Sequence, residues 1–322
     1  MTLHQFPLPA APSDRTRSLA VVIVTYNSGD AIGGLLDTLA DGLEGVGNVD
    51  VVIADNASAD RSVAIAKAHP ARPRVVQTGW NGGYAAGINA ALATVSRYAD
   101  VLILNPDIRL SRGSVARLVA RLRHAHIGVV VPRILHEDGT LVHSLRREPS
   151  LRTAWADAVL GAKLGARLDR GECICDPQFY EAPGFFDWAS GAALAVSAEA
   201  RIRVGAWDES FFLYSEEVDY QRRVREAGYF IAYAPDTDIV HIGGDYQRNA
   251  KLYAILTGNR IRDYGRHHAR FATAMFRLAV LTGELLRSLG GSRVHWAGVK
   301  AALSRPPEHS MRRPSLGKVV GA

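Results

Sequence analysis

The feature that most constrains this chain is a regular alternation between residues 19 and 133. Short apolar, β-branched runs at 19–25, 49–55, 74–78, 101–105 and 128–133 are separated by helical periodicity at 31–43, 61–69, 85–95 and 114–123. Strands without polar alternation must be covered on both faces, and the helices between them supply that cover. The segment therefore predicts an α/β fold with a doubly wound, mostly parallel sheet. Ligands of such sheets bind beyond the carboxyl ends of the strands. The polar residues that end each run thus become candidates: Thr25-Tyr26-Asn27, Asp55-Asn56-Ala57-Ser58, Asn81-Gly82-Gly83 and Asn105-Pro106-Asp107.

After residue 133 the alternation stops. Residues 134–182 are rich in arginine, glycine and proline, with one helical pattern around 153–164, and read as an insertion or acceptor-facing region. A strand-like run at 187–196, a helix at 198–204, an acidic segment at 211–225 and a strand at 229–233 follow, and from 251 the chain is helical and basic. The expected division is a disordered leader over 1–17, an α/β half over 18–133, a second half of the same domain over 134–250, and a basic helical C-terminal extension over 251–322.

Composition narrows the function classes. With 322 residues and 48% hydrophobic content, the chain can build a core that needs no staples. Its two cysteines, Cys173 and Cys175, stand in a C-x-C spacing that fits neither a disulfide framework nor a zinc site, so free thiols in a reducing cytoplasm are expected. The first 17 residues lack the apolar run of a signal peptide. A net charge of +6 favours anionic partners such as diphosphates or acidic lipid headgroups. No helix-turn-helix, zinc-finger or aromatic RNA-binding signature accompanies it, so no nucleic-acid partner is expected. The apolar-leaning run 271–289 contains Arg277, Glu284 and Arg287, too many charges for so short a span to cross a bilayer. It reads equally as an amphipathic helix on a membrane surface or as one packed on the domain.

Several constellations carry chemistry. Asp107, at the end of the buried run 101–104, can hold a hard divalent cation that neutralises two phosphates of a diphosphate, whereas an isolated Asn-Pro-Asp is an ordinary turn. Asp55 and Asn56 can bond a pyrimidine edge or a ribose, with Ser58 or Asp60 capping the next helix. The small residues from Asn81 to Gly87 let a ligand approach the backbone, but they form neither G-x-G-x-x-G nor a P-loop, which argues against dinucleotide and NTPase readings. Glu216, Glu217 and Asp219 are three carboxylates within four positions beside aromatic residues. A carboxylate near a low-dielectric pocket can serve as a general base, and the same charges suit a helix N-terminus. His241 can complete a metal site begun by Asp107, or it can be a structural histidine.

Taken in order, Val24-Thr25-Tyr26-Asn27-Ser28, Asp55-Asn56-Ala57-Ser58, Asn81-Gly82-Gly83-Tyr84, Asn105-Pro106-Asp107, Trp188-Ala189-Ser190-Gly191-Ala192, the segment from Phe212 to Asp219, and His241 resemble glycosyltransferase family 2. The branch most similar is the bacterial rhamnosyltransferase-like one, and the likeness runs from Leu19 to Gly265. Residues 143–161, with Arg146-Arg147-Glu148-Pro149-Ser150-Leu151, also resemble the branch that adds L-rhamnose to a diphosphate-linked lipid carrier.

The resemblance implies a GT-A fold, inversion at the anomeric carbon, and membership of cell-envelope polysaccharide synthesis at the inner face of the membrane. Thr25, Tyr26, Asn27, Asp55 and Asn56 would cradle the nucleoside, with Asn81 and Gly82 close by. Asp107 would stand for the last carboxylate of the DxD-type element, Asn105 for the first, and Asp107 with His241 would bind Mn2+ or Mg2+. Glu217 would replace the family's catalytic aspartate, with Glu216 and Asp219 as the neighbouring alternatives. Trp188, Ser190 and Gly191 would border sugar and acceptor, and Arg223 matches the arginine behind the acidic motif. The Q-x-x-R-W signature of processive synthases is absent, since Gln221-Arg222-Arg223-Val224-Arg225 has no tryptophan. The expected donor is dTDP-rhamnose and the acceptor a glycan or lipid-diphosphate-linked saccharide. The alternatives are a UDP-hexose or galactofuranose transferase of the same fold, a non-catalytic sugar-nucleotide binding protein, or an NAD-type oxidoreductase.

Overall fold

The structure, a computed structural model, describes residues 18–168, 170–243 and 249–304. The leader expected over 1–17, Gly244 and the end of the extension beyond 304 lie outside the described residues. The alternating region forms β1 (Leu19–Thr25), α1 (Gly29–Gly42), β2 (Val49–Asp55), α2 (Ser62–Ala68), β3 (Arg74–Gln77), α3 (Tyr84–Leu92), β4 (Asp100–Leu104), β5 (Ile108–Leu110), α4 (Ser114–Leu122) and β6 (Ile127–Leu135). Then come β7 (Leu145–Arg146), α5 (Leu151–Arg167, broken at Gly161), α6 (Gln178–Glu181), β8 (Gly184–Phe186), β9 (Trp188–Ala189), β10 (Ala193–Val196) and α7 (Ala198–Val204). A 3-10 turn at Glu209–Phe211 leads into α8 (Glu216–Glu226), β11 (Phe230–His241), α9 (Ala250–His267), α10 (Arg270–Ser288) and α11 (Arg293–Leu303).

Among the described residues the main sheet has nine strands in the order β3-β2-β1-β4-β10-β6-β11-β5, with β8 also on β11. The pairs β3-β2, β2-β1, β1-β4 and β6-β11 are parallel, while β10 runs antiparallel to both its neighbours and β5 and β8 run antiparallel to β11. The sheet is thus mixed, with six strands pointing one way and three the other. The fifth apolar run does not sit beside the fourth: β10 enters between β4 and β6. Its four residues are small or branched and all buried, so it can occupy the sheet centre.

Side-chain alternation explains the layers. On β1, Leu19, Val21 and Ile23 belong to the core layer that also holds Ile32 and Leu35 of α1 and Leu118 and Leu122 of α4, while Val22 and Val24 belong to the opposite layer, with Ala85 and Ile88 of α3 and Tyr220 and Val224 of α8. Each face of the parallel half therefore has its own helical cover.

Two segments depart from the sequence reading. The strand expected over 187–196 is broken into β9, which pairs with β7 in a separate ribbon, and β10 in the main sheet. The break falls at Ser190-Gly191-Ala192, where Ser190 N donates to Ser144 O and Tyr84 Oη to Gly191 O. The strand expected over 229–233 continues through Pro235 to His241, with a register shift between Ala234 and Asp238 that accommodates the proline.

The C-terminal helices form a third core with α5, built from Ala154, Ile261, Tyr264, Phe276, Ala279, Val280 and Ala302. Helix α10 is packed on the domain by that face, and the opposite side leaves Phe271 78% and Leu289 83% exposed, with Leu278, Leu285 and Leu286 also at the surface. Among the described residues no helix is long and apolar enough to cross a membrane.

Candidate active site

Three strand ends interlock at one edge of the parallel half. Thr25 Oγ1 and Ser58 Oγ both donate to Asp55 Oδ1, at 2.8 and 2.6 Å, and Ser58 N donates to Asp55 Oδ2 at 2.9 Å. Asn56 Nδ2 donates to Gly83 O at 2.8 Å, and Asn27 Oδ1 accepts from Ala59 N at 2.8 Å. Asn81 Oδ1 accepts from Gly83 N, which shapes the turn into α3. Asp55 and Asn56 are buried, and Tyr26 stands half exposed at the rim. The sequence-predicted residues 25–27, 55–56 and 81–82 are therefore neighbours, tied by parallel register: Thr25 lies directly opposite Asp55.

The end of β4 leads to Asp107 through a turn closed by Ile108 N donating to Asn105 O. Strand β5 then pairs with the end of β11 and sets Ile108 against His241. The result is Asp107 Oδ1 3.2 Å from His241 Nε2. The pair fits a divalent cation. Asp107 Oδ1 is buried and accepts no hydrogen bond, a Cβ on Gly243 would overlap Asp107 Oδ2, and a hard carboxylate with an imidazole is a suitable donor set. A second group, Asp219, Asp263 and His267, also brings ligand atoms within 4.8 Å of one another. Its carboxylates are already held by arginines: Asp219 by Arg223 and Asp263 by Arg222.

Helix α8 supplies the acidic cluster. Gln221, fully buried, accepts from Ala189 N at 2.9 Å and donates to Ala189 O at 2.7 Å, which fastens α8 to β9. A Cβ on Gly191 would stand 3.3 Å from Glu217 Cβ, so the break between β9 and β10 runs directly beside that side chain. Burial pushes the Glu217 carboxyl up to about 7, with the Asp263 charge adding to the rise. Glu216 is raised further by burial and by Glu217 beside it. Each glutamate has a buried carboxylate oxygen without a hydrogen-bond partner. Burial raises the Tyr84 hydroxyl pKa, and the charges of Glu216, Glu217 and Asp107 raise it further.

The acceptor-side residues divide. Trp188 Nε1 donates to Arg147 O, and the Arg146 guanidinium lies 5.8 Å from the centre of the Trp188 ring. Trp188, Ser190 and Gly191 are thus on the segment that runs past Glu217. Arg223 is engaged elsewhere, with Asp219 and with the carbonyls of Val204 and Ala206.

Sequence reasoning missed the contribution of α9. Asn259, 3% exposed, donates through Nδ2 to the carbonyls of Phe211, Leu213 and Tyr214 at 2.7, 2.8 and 3.2 Å. One helical turn on, Arg262 donates to Ser210 O, and Arg266 pairs with Asp208. Asp263 takes both Arg222 amino groups at 2.9 and 2.8 Å in a buried, bidentate pair. The segment so gripped is strained: Phe212, Tyr214 and Ser215 have φ of 64, 66 and 73°. Such conformations cost ~1–3 kcal/mol each in non-glycine residues and persist where surrounding contacts impose them. On its other side, Tyr84 N donates to Phe212 O, and Gly83 at φ +88° has no Cβ that would collide with that carbonyl. The spacing of 259, 262, 263 and 266 on one helix face was the available signal.

A Rossmann-like half whose strand ends form a polar cradle, joined to a half that presents buried carboxylates, defines the GT-A class of glycosyltransferases. The fold of a mannosyltransferase from Pyrobaculum calidifontis, solved with GDP-Man and Mn2+, matches with a TM-score of 0.54 and 18% identity over 94% of this chain and 90% of that one. The sequence model described as Glycosyl transferase family 2 matches residues 20–176. An N-acetylglucosaminyl-diphospho-decaprenol L-rhamnosyltransferase of Mycobacterium tuberculosis is 32% identical over 244 residues, 70% of this chain and 76% of that protein. A rhamnosyltransferase of Escherichia coli is 23% identical over 69% of this chain and 82% of its own length. The chain belongs to glycosyl transferase family 2.

Proposed function

We propose that this glycosyltransferase moves L-rhamnose from dTDP-rhamnose to a lipid-diphosphate-linked saccharide, with inversion, in cell-envelope polysaccharide synthesis. The observation that carries the reading is that Tyr84 Oη donates to Gly191 O on the backbone that runs beside Glu217, while Asp107 at the end of β4 pairs with His241. The Mycobacterium tuberculosis relative, whose name states both the sugar and a diphospho-decaprenol acceptor, supports the choice of substrates.

In this reading Thr25, Tyr26, Asn27, Asp55 and Asn56 hold the nucleoside, with Asn81 and Gly82 at the turn beside it. Asp107 and His241, with Asn105 at the same strand end, would hold Mn2+ or Mg2+, which when bound offsets charge on the diphosphate leaving group. Glu217 removes the proton of the acceptor hydroxyl as that oxygen bonds to the anomeric carbon. The bond from that carbon to the diphosphate breaks on the opposite face, and dTDP leaves with both electrons. A carboxyl with a pKa near 7 suits this task, because half of it is ionised at neutral pH while it still binds a proton well. Trp188, Ser190 and Gly191 border the sugar and acceptor. Glu216 is the neighbour of Glu217 on α8, and burial and the Glu217 charge raise its proton affinity, which favours keeping one proton between the two glutamates. Asp219 and Arg223 serve the fold as an ion pair along α8.

The exposed apolar side of α10, from Phe271 to Leu289, together with the basic charge of the chain, supports docking at an anionic membrane surface where a lipid-linked acceptor resides. In this reading the enzyme works in the cytoplasm at the inner face of the membrane.

The test is a thermal-shift screen of nucleotide sugars with Mn2+, followed by transfer assays on a lipid-diphosphate GlcNAc acceptor. A donor present at a hundredfold over its Kd stabilises by about 2.7 kcal/mol, a readable rise in Tm. The dTDP-rhamnose arm is expected to shift most and to turn over. A larger shift with UDP-hexose or UDP-galactofuranose would replace the donor assignment, and binding without turnover would favour a non-catalytic sugar-nucleotide binding protein.

A further inference from the structure

We infer that Asn259 on α9 is a positioning residue for the transfer step, because it fixes the loop that aims Glu217. This rests on Glu217 being the base. One amide group of Asn259 meets three carbonyls, those of Phe211, Leu213 and Tyr214. Those carbonyls converge because Phe212, Tyr214 and Ser215 hold positive φ. Ser215 is the residue that opens α8, and its side chain makes no capping bond. The orientation of the first turn of α8, which carries Glu216 and Glu217, is therefore inherited from the loop rather than set by a cap of its own.

The loop has two walls. Tyr84 N and the bare Gly83 hold Phe212 O from the α3 side, and Asn259 holds the three carbonyls from the α9 side. Without the Asn259 amide the carbonyls of Phe211, Leu213 and Tyr214 lose the donor they share, although Arg262 and Arg266 still hold Ser210 and Asp208, and the residues that follow relax towards negative φ. That relaxation rotates the start of α8 and carries the Glu217 carboxylate away from Gly191. A displacement near 1 Å at a reacting group costs on the order of a hundredfold in rate.

The experiment compares wild type with Asn259→Asp and Asn259→Ser. The aspartate keeps the shape and replaces the donor with an acceptor facing three carbonyls; the serine keeps one donor. Asn249→Ala is the stability control: Asn249 caps the same helix, ten residues before Asn259, accepting from Lys251 N and Leu252 N. Donor-binding stoichiometry by calorimetry, kcat and Tm are measured on each. The expected result is full donor stoichiometry in both Asn259 variants, with kcat reduced on the order of a hundredfold in the aspartate and about tenfold in the serine. Asn249→Ala is expected to lower Tm and leave kcat per donor site unchanged. Wild-type kcat at full stoichiometry in either Asn259 variant overturns the inference, as does a loss of kcat that parallels the loss of donor sites. Glu217→Gln, run alongside, separates the two ideas: if it keeps normal turnover the base assignment fails, and if it is inactive while the Asn259 variants are normal only the clamp fails.

Discussion

Replacing Glu217 with glutamine should make the protein more stable at alkaline pH while removing its activity. The folded protein holds this carboxyl at about 7 against an ordinary value of 4.5. At pH 4 the group is protonated whether the chain is folded or unfolded, so it contributes no penalty. As pH rises past 4.5 the unfolded chain ionises first, which favours unfolding, and the penalty grows until the folded state ionises too, near pH 7. The stability linked to the protonated form is thus fully present below pH 4.5 and lost above about 7. At about 1.4 kcal/mol per tenfold in the proton equilibrium, the loss comes to about 3 kcal/mol. Glutamine has nearly the same shape and does not titrate. The difference between variant and wild type should therefore start near zero at pH 4 and reach about 3 kcal/mol in favour of the variant at pH 8. Glu216 adds in the same direction, since its proton affinity is raised partly by Glu217 and falls when that charge is removed. Urea unfolding followed by tryptophan fluorescence across pH 4 to 8 measures the difference. A stability difference that is flat with pH, or a variant less stable than wild type at pH 8, would refute the burial account of this site. The same variant should lose turnover by about a hundredfold or more at pH 8, and wild-type kcat should fall as pH drops through about 7.

Two further outcomes test the neighbouring parts. Asp107→Ala should weaken Mn2+-dependent donor binding by about tenfold or more and abolish its dependence on Mn2+ concentration; unchanged affinity in a metal titration would remove Asp107 from the cation site. Phe271→Glu with Leu289→Glu, both exposed, one in the first turn of α10 and one just past its end, should lower partitioning onto anionic vesicles by about tenfold or more while leaving the unfolding midpoint alone; unchanged partitioning would reject the membrane face.

Much of the candidate site was legible because its residues stand at or just past the ends of parallel strands, where such sheets bind ligands. The runs that became β1, β2 and β4 are predominantly apolar, with Asp50 and Asp100 near the starts of β2 and β4, and the polar residues at or after their ends are contiguous in sequence with their strands. Reading the strands was enough to single out Thr25, Asp55, Asn56 and Asp107 as candidates at the strand ends. The antiparallel strand β10 was not legible as a sheet centre, because Ala193-Leu194-Ala195-Val196 has no crossover helix to announce it. Nor was the role of α9, since a basic amphipathic helix looks alike whether it meets solvent, lipid or another element.

Sequence alone determined the chemistry on offer: which carboxylates, amides and glycines follow which strands, and which helix begins with three acids. Local periodicity carries that information because backbone hydrogen bonding and side-chain alternation act within a few residues. Tertiary structure alone decided which groups meet. His241 reaches Asp107 through the pairing of β5 with β11, and Glu217 lies beside Gly191 through Gln221 and Ala189. The strained turn before α8 is met by Asn259, 45 residues beyond Tyr214, and by Tyr84, which lies on the far side of the loop in α3. Contacts of that separation depend on the packing of the whole sheet and its helices, and no short-range pattern encodes them.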